Sequence, residues 1–412
     1  MIKIQNIFPQ LSEKHLELAR QGLKSLLARQ DLGFTQLLSR TQLWQSSAHR
    51  AEQLKSQGVT RVGVLGMGGS SLGARSLWES YGCQLGALED FLYFDNLDST
   101  AFFQRFEKLA NPTSIHFLVV SKSGTTLETL AMADYLDQFL KDRGSCLAQQ
   151  ATVISELRST PLSDWARNNK VPLLEIPKDV AGRFSVLTPV GLLPAALMGY
   201  SFDEIRQGVE WVDQSATPIV ENLIGASLAS LERRDQVLYF WSYAEGLQSF
   251  GAWFQQLWAE SLGKSKTIGG EQAPPVPVPS LGSMGQHSTL QQVIEGGQPH
   301  WVWVVQNTQP SISGPILKQS QFAGGDIWAG RKLEHLVAVQ AQATEQALVQ
   351  HKIPTVSLSV AGLSPRTIGA LFYLAELTVG GLGEVMGINV CDQPGVELGK
   401  RLAKELLSKK GH

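Results

Sequence analysis

A chain of 412 residues is long enough for two or three domains and a sizeable core. Hydrophobic residues make up 43% and charged residues 17%, a globular composition, and a net charge of -2 argues against a nucleic-acid or membrane-surface partner. Three scattered cysteines, Cys83, Cys146 and Cys391, exclude a disulfide framework and point to a reducing compartment. The opening MIKIQNIFPQLSEKHLELAR lacks the basic-then-apolar pattern of a signal peptide. No run of about 18 apolar residues offers a membrane span, so a cytoplasmic location is expected.

Along the chain, short apolar runs alternate with longer stretches of helical period. Strands are predicted at 61–66 (RVGVLG), 91–95, 115–120, 151–155 and 171–176. A second series follows at 237–242, 300–305 and 355–360. Helices are predicted over Leu127 to Leu140 and Leu333 to Val349. Continuous apolar strands separated by helices predict parallel sheets covered on both faces. The two series predict two such α/β units, dividing near 190–215. QAPPVPVPS, at 272–280, reads as a loop, because proline cannot donate to a central ladder.

Two loops in the first unit invite a ligand. GMGGSSLG, Gly66 to Gly73, matches the first two glycines of a dinucleotide fingerprint, but Ser71 occupies the third position. Asp95, in the place of a ribose-binding acid, lies somewhat beyond the usual spacing of about 20 residues. Glycines serving only a tight turn are the alternative. SKSGTT, Ser121 to Thr126, follows a strand and opens a helix, where free backbone N–H groups favour an anion. Ser121, Ser123, Thr125 and Thr126 add hydroxyls, Lys122 a charge, and Gly124 close approach. Helix capping would need only one or two of these residues, so a phosphate site is the better reading. Two such loops suit one compact phosphorylated ligand.

Farther along, DVAGRFSVLTP places Arg183 after a glycine, suited to an anion unless it is an ordinary surface arginine. SFGAWFQQLWAESLGK, at 249–264, carries an apolar helical stripe of Phe250, Trp253, Phe254, Leu257 and Trp258. Glu260 falls at its edge beside Trp253, where partial desolvation would suit a general base. Gln256, one turn earlier, lies on the same side. Helix geometry alone does not separate this from a surface pair of Glu260 with Lys264. His287 sits in the small-residue loop GSMGQHST and could act as acid or base. In CDQPGVELGK, Gln393 reads singly as a turn residue and Lys400 as a solvated one. No pair at metal-ligand spacing appears, so no metal is expected.

Taken together, GMGGSSLG, SKSGTTLET, AGRFSVLTPVG, QLWAESLGK, GQHS and DQPGVELGK resemble the glucose-6-phosphate isomerase (phosphoglucose isomerase) family, in the family's order and across most of the chain. The resemblance implies an α/β fold of two αβα sandwich sugar-isomerase (SIS) domains with mainly parallel sheets. It places a first domain with an N-terminal helical segment at 1–200 and a second at 201–390. A C-terminal helical segment at 391–412 carries a catalytic lysine. By position, Ser121, Lys122, Ser123 and Thr126 would bind the sugar phosphate, with Gly69 and Ser70 nearby. Glu260 would move the proton between C1 and C2, and Arg183 would stabilise the enediolate. His287 and Lys400 would assist ring opening, while Gln256 and Gln393 contact substrate. In the family the histidine comes from the partner subunit, so a homodimer is expected. Cys391 stands where an aromatic is common, and the chain is shorter than many members.

The implied activity is reversible isomerisation of glucose 6-phosphate and fructose 6-phosphate, without a metal or nucleotide cofactor. A non-catalytic sugar-phosphate sensor is the alternative, and a nucleotide-dependent oxidoreductase a more distant third. Glu260, Arg183, His287 and Lys400 together argue for the enzyme, since a sensor needs only the phosphate loop.

Overall fold

The computed structural model describes residues 1–107, 114–264 and 273–409. The chain opens with strand β1 (Ile2–Phe8), which does not pair with its nearest successors. β2 (Arg61–Leu65), β3 (Asp90–Phe94), β4 (His116–Val120), β5 (Ala151–Ser155) and β6 (Leu173–Glu175) form an all-parallel sheet in the order β3-β2-β4-β5-β6. β7 (Val237–Tyr243), β8 (Val276–Leu281), β9 (His300–Asn307) and β10 (Thr355–Val360) form the second sheet. Its order is β1-β10-β9-β7-β8, parallel except for β1. The eight predicted strands, joined by β1 and β8, form two five-stranded, largely parallel sheets, and the fold class is α/β.

Side-chain alternation explains why these runs are apolar without a break. In β4, Leu118 and Val120 enter a core cluster shared by both sheets, while Phe117 and Val119 enter a separate cluster on the opposite face. In β7, Leu238 and Phe240 join the shared core, and Tyr239, Trp241 and Tyr243 pack into an outer one. Each strand thus serves two apolar layers, so polar residues have no face to occupy. The predicted helices form over Leu127–Lys141 and Leu333–Gln350. Pro365–Met386 is apolar and long enough to cross a bilayer, yet 89% of its most apolar window is buried in the protein, as in a core helix.

One reading changes. The proline-rich stretch forms an edge strand, β8, rather than a loop. Val276 N–H donates to Gln236 O at 2.8 Å and Gly282 N–H to Ser242 O at 2.8 Å. The intervening register points the nitrogens of Pro277 and Pro279 away from β7, so the missing donors leave no ladder bond unmade. Residue 272 of that stretch, and 410–412 at the C-terminal end, lie outside the described residues. β1 lies antiparallel to β10, and the Glu13–Ala28 helix packs on Pro365–Met386, so 1–28 stands with the second sheet. The Thr41–Ser56 helix packs instead on Pro189–Met198.

β1 aside, each sheet begins with an inner strand, places the next strand on one side and then crosses to the other. This leaves a switch point between β2 and β4, and another between β7 and β9. Open α/β sheets bind ligands at such points, beyond the carboxyl ends of the strands.

Candidate active site

The loops after β2 and β4 meet at the first switch point. Gly124 has φ of 63°, and a Cβ there would lie 2.1 Å from Thr160 Oγ1, so glycine is required twice over. The turn is pinned from below: Gly124 N–H donates to Ser121 O at 3.1 Å, and Ser155 Oγ donates to Ser121 O at 2.7 Å. Ser121 Oγ and Thr126 Oγ1 are 2.9 Å apart, with Ser123 Oγ at 3.4 Å from the latter. Thr126 holds the N-cap position of Leu127–Lys141, but its side chain makes no capping bond. Its hydroxyl belongs to the loop cluster instead, which weakens the capping explanation. Lys122 Nζ donates to Lys178 O at 3.0 Å and lies 3.7 Å from Glu156.

The glycines after β2 bring protein segments together. A Cβ on Gly69 would lie 2.4 Å from Gly182 O and 2.8 Å from Arg183 N. One on Gly68, where φ is 54°, would lie 2.6 Å from Gln256 Nε2. One on Gly66 would approach Ser70 Cβ and Val120 O, which sets Ser70 beside the end of β4. This partial fingerprint therefore presses three chain segments into one cluster.

Arg183 is at its centre. It is buried, and its Nε donates to Ser261 Oγ at 2.8 Å. Nη1 donates to Gln393 Oε1 at 3.1 Å, and Nη2 donates to the carbonyls of Val390 at 2.5 Å and Asp392 at 2.8 Å. Burial pulls its pKa down from the usual arginine value, with the Glu260 charge opposing that shift. Glu260 Oε2 lies 3.4 Å from Arg183 Nη1 and accepts from Gln256 Nε2 at 3.0 Å. The surface pair is not made: Lys264 bonds Asp392 at 2.8 Å and donates to the carbonyls of Ser261 and Asn389. A cavity of about 630 Å³ opens beside Glu260 and Gln393. Glu260 lines this cavity, and the Arg183 guanidinium lies directly behind it; a carboxylate and a fixed guanidinium so paired can move a proton and stabilise a developing oxyanion.

The sequence belongs to a known line of proteins. Residues 38–411 match the phosphoglucose isomerase family. The chain is a member of that family. A glucose-6-phosphate isomerase of Thermus thermophilus is 30% identical over 410 residues, covering 97% of each chain. The crystal structure of a hypothetical protein, also from Thermus thermophilus, superposes with a TM-score of 0.91 at 29% identity, covering 99% of this chain and 100% of that one. A glucose-6-phosphate isomerase from Chlamydia trachomatis shares the fold at 21% identity, with a TM-score of 0.76, covering 97% and 80% respectively.

Within this family member, ten of the residues singled out in sequence fall into two adjoining groups. Ser121, Lys122, Ser123 and Thr126 line the β4 loop, with Ser70 beside the end of β4; Gln393, Glu260 and its partner Gln256 gather at the Arg183 guanidinium, and Gly69 lies against the Arg183 backbone. Two stand apart. The His287 side chain is exposed and makes no hydrogen bond among the described residues. Lys400 donates to Glu397 at 2.9 Å on Glu397–Ser408, a helix with no buried residue. Ser261, which fixes Arg183, was not singled out; adjacency to Glu260 was its only signal in sequence.

Proposed function

We propose that the chain interconverts glucose 6-phosphate and fructose 6-phosphate through an enediolate, as a cytoplasmic enzyme without metal or nucleotide cofactor. The contact that carries this reading is Glu260 against the buried Arg183, one loop away from the hydroxyl-rich turn. The turn takes the phosphate as a remote handle whose binding energy positions C1 and C2. Glu260 removes a proton from one of these carbons and returns it to the other. Arg183 faces the oxygen on which charge develops. Gln393 and Gln256 contact substrate hydroxyls; Gln256 Oε1 is buried and has no partner among the described residues, leaving an acceptor to spend. A coupled assay of purified protein with fructose 6-phosphate, with and without chelator, tests the reading. No turnover would leave the sugar-phosphate sensor.

His287 and Lys400 assist ring opening in this proposal, His287 reaching the site of a second copy. The exposure of His287 supports that arrangement, as do the exposed apolar side chains of Ile312, Phe322, Ile327 and Leu333 in one stretch of chain. Scattering in solution should give the mass of a homodimer. His287→Ala should impair turnover of the cyclic substrate more than exchange on the open-chain form. Equal losses would count against a ring-opening role.

Lys122→Ala and Thr126→Ala are expected to weaken fructose 6-phosphate binding by about tenfold each, the size of a lost charge-assisted hydrogen bond, without changing the fold. Calorimetry measures this directly. Parent-like affinity in both variants would remove the loop from the site.

A further inference from the structure

The second sheet repeats the strand order of the first, with β7 between β8 and β9 as β2 lies between β3 and β4. A cavity of about 710 Å³, within the size range of small-molecule pockets, occupies its switch point. The loops after β7 and β9 line it, and its far wall is the Leu72–Ser80 helix of the first unit. None of the residues given a chemical role above lines this space; of the apolar side chains offered for the dimer, Ile312 is at its rim.

Its chemistry differs from that of the phosphate loop. Arg75 is the cation in the lining, against Glu79, Glu245 and Glu334. That cation is already engaged: Nε lies 2.9 Å from Glu79, and the guanidinium sits 4.3 Å over the Tyr93 ring. Where the first unit has Ser121-Lys122-Ser123, the end of β9 and the loop after it have Asn307-Thr308-Gln309, with no lysine. The surplus of carboxylates repels phosphate. The Glu245 carboxylate is exposed and makes no hydrogen bond or ion pair among the described residues. Gln248 is exposed beside it, and Trp78 is partly exposed on the opposite wall. Carboxylate and amide oxygens accept from hydroxyls, and an indole face covers C–H groups.

We propose that this cavity is a second ligand site, which takes an unphosphorylated sugar. It is separate from the candidate active site. The Gln248–Leu262 helix starts at the cavity, and at 1.5 Å per residue Glu260 lies about 18 Å farther along. Both sites can therefore be filled at once.

The test is calorimetric titration of the full-length protein with glucose, in the parent and in Lys122→Ala, Glu245→Ala and Gln248→Ala. Saturable binding is expected in the parent and undiminished in Lys122→Ala. Glu245→Ala, at an exposed position, should weaken it about tenfold with an unchanged thermal midpoint, and Gln248→Ala should weaken it less. Three results would overturn the proposal. One is no saturable glucose binding. A second is binding lost in Lys122→Ala but kept in both cavity variants. The third is displacement of glucose by inorganic phosphate in the Lys122→Ala protein.

Discussion

Glu260→Gln is expected to bind fructose 6-phosphate nearly as the parent does and to lose turnover by about 10²–10⁴-fold, the usual contribution of a positioned proton-transfer group. The substitution keeps the side chain's shape. An amide oxygen can still accept from Gln256, whose Nε2 now donates to Glu260 at 3.0 Å. What disappears is the base, and with it the exchange of the substrate C2 hydrogen with solvent. Turnover and exchange should fall together, while the binding constant moves little. A variant that still exchanges that hydrogen at close to the parent rate would show that Glu260 is not the base. Arg183 would then be stabilising charge generated by some other group.

A second large effect concerns stability. Glu376 is fully buried in Pro365–Met386, and neither of its carboxylate oxygens has a hydrogen-bond partner among the described residues. Burial pushes its pKa well above the usual 4.5. Tyr373, bonded to Asp213, is the titratable side chain one turn away. The unfolded chain releases the Glu376 proton above about pH 4.5, whereas the folded chain retains it until its own raised pKa. The contribution to stability is therefore fully present at acid pH and declines as pH rises towards the folded value. The decline amounts to about 1.4 kcal/mol per pH unit within that window. Glu376→Gln cannot release a proton, so its thermal midpoint should gain on the parent's between pH 5 and pH 8. Parallel pH profiles for the two proteins would mean that Glu376 is ionised or partnered in the folded state.

The fold was legible where one physical constraint dominates the composition. β4 and β7 each feed two apolar layers, so their runs of apolar residues stand out in the sequence. β8 was hidden because its prolines obey the rule for edges, and sequence alone does not say which strand lies at an edge. β1 carried a signal that went unused: Ile2 and Ile4 alternate with Lys3 and Gln5, the period of a half-exposed strand. At the site, residue types and order in the motifs were legible, but the burial of Arg183 was not. It depends on the Val390 and Asp392 carbonyls, which reach it from a distant part of the chain. His116 shows the reverse case, a histidine with a structural task. It is buried against Thr152 at 2.8 Å, and burial together with Arg50 pushes its pKa down to about 3.

The place of β1 bears on how the molecule is made. Gln5 and Ser359, 354 positions apart, share a hydrogen bond of 2.6 Å between β1 and β10. The ribosome releases that edge strand before the other described strands, and its partner emerges after all of them. The first sheet has all its strands by Glu175 and can assemble while translation continues, whereas the second must wait for its earliest residues to return. A fragment beginning near residue 201 would carry β7 to β10 with β10 left as a bare edge, open to pairing with another copy. Dividing the gene between the two units would thus yield an aggregation-prone second half. A permuted chain that joins residues 1–28 behind the C-terminus would restore the missing strand to the half that uses it.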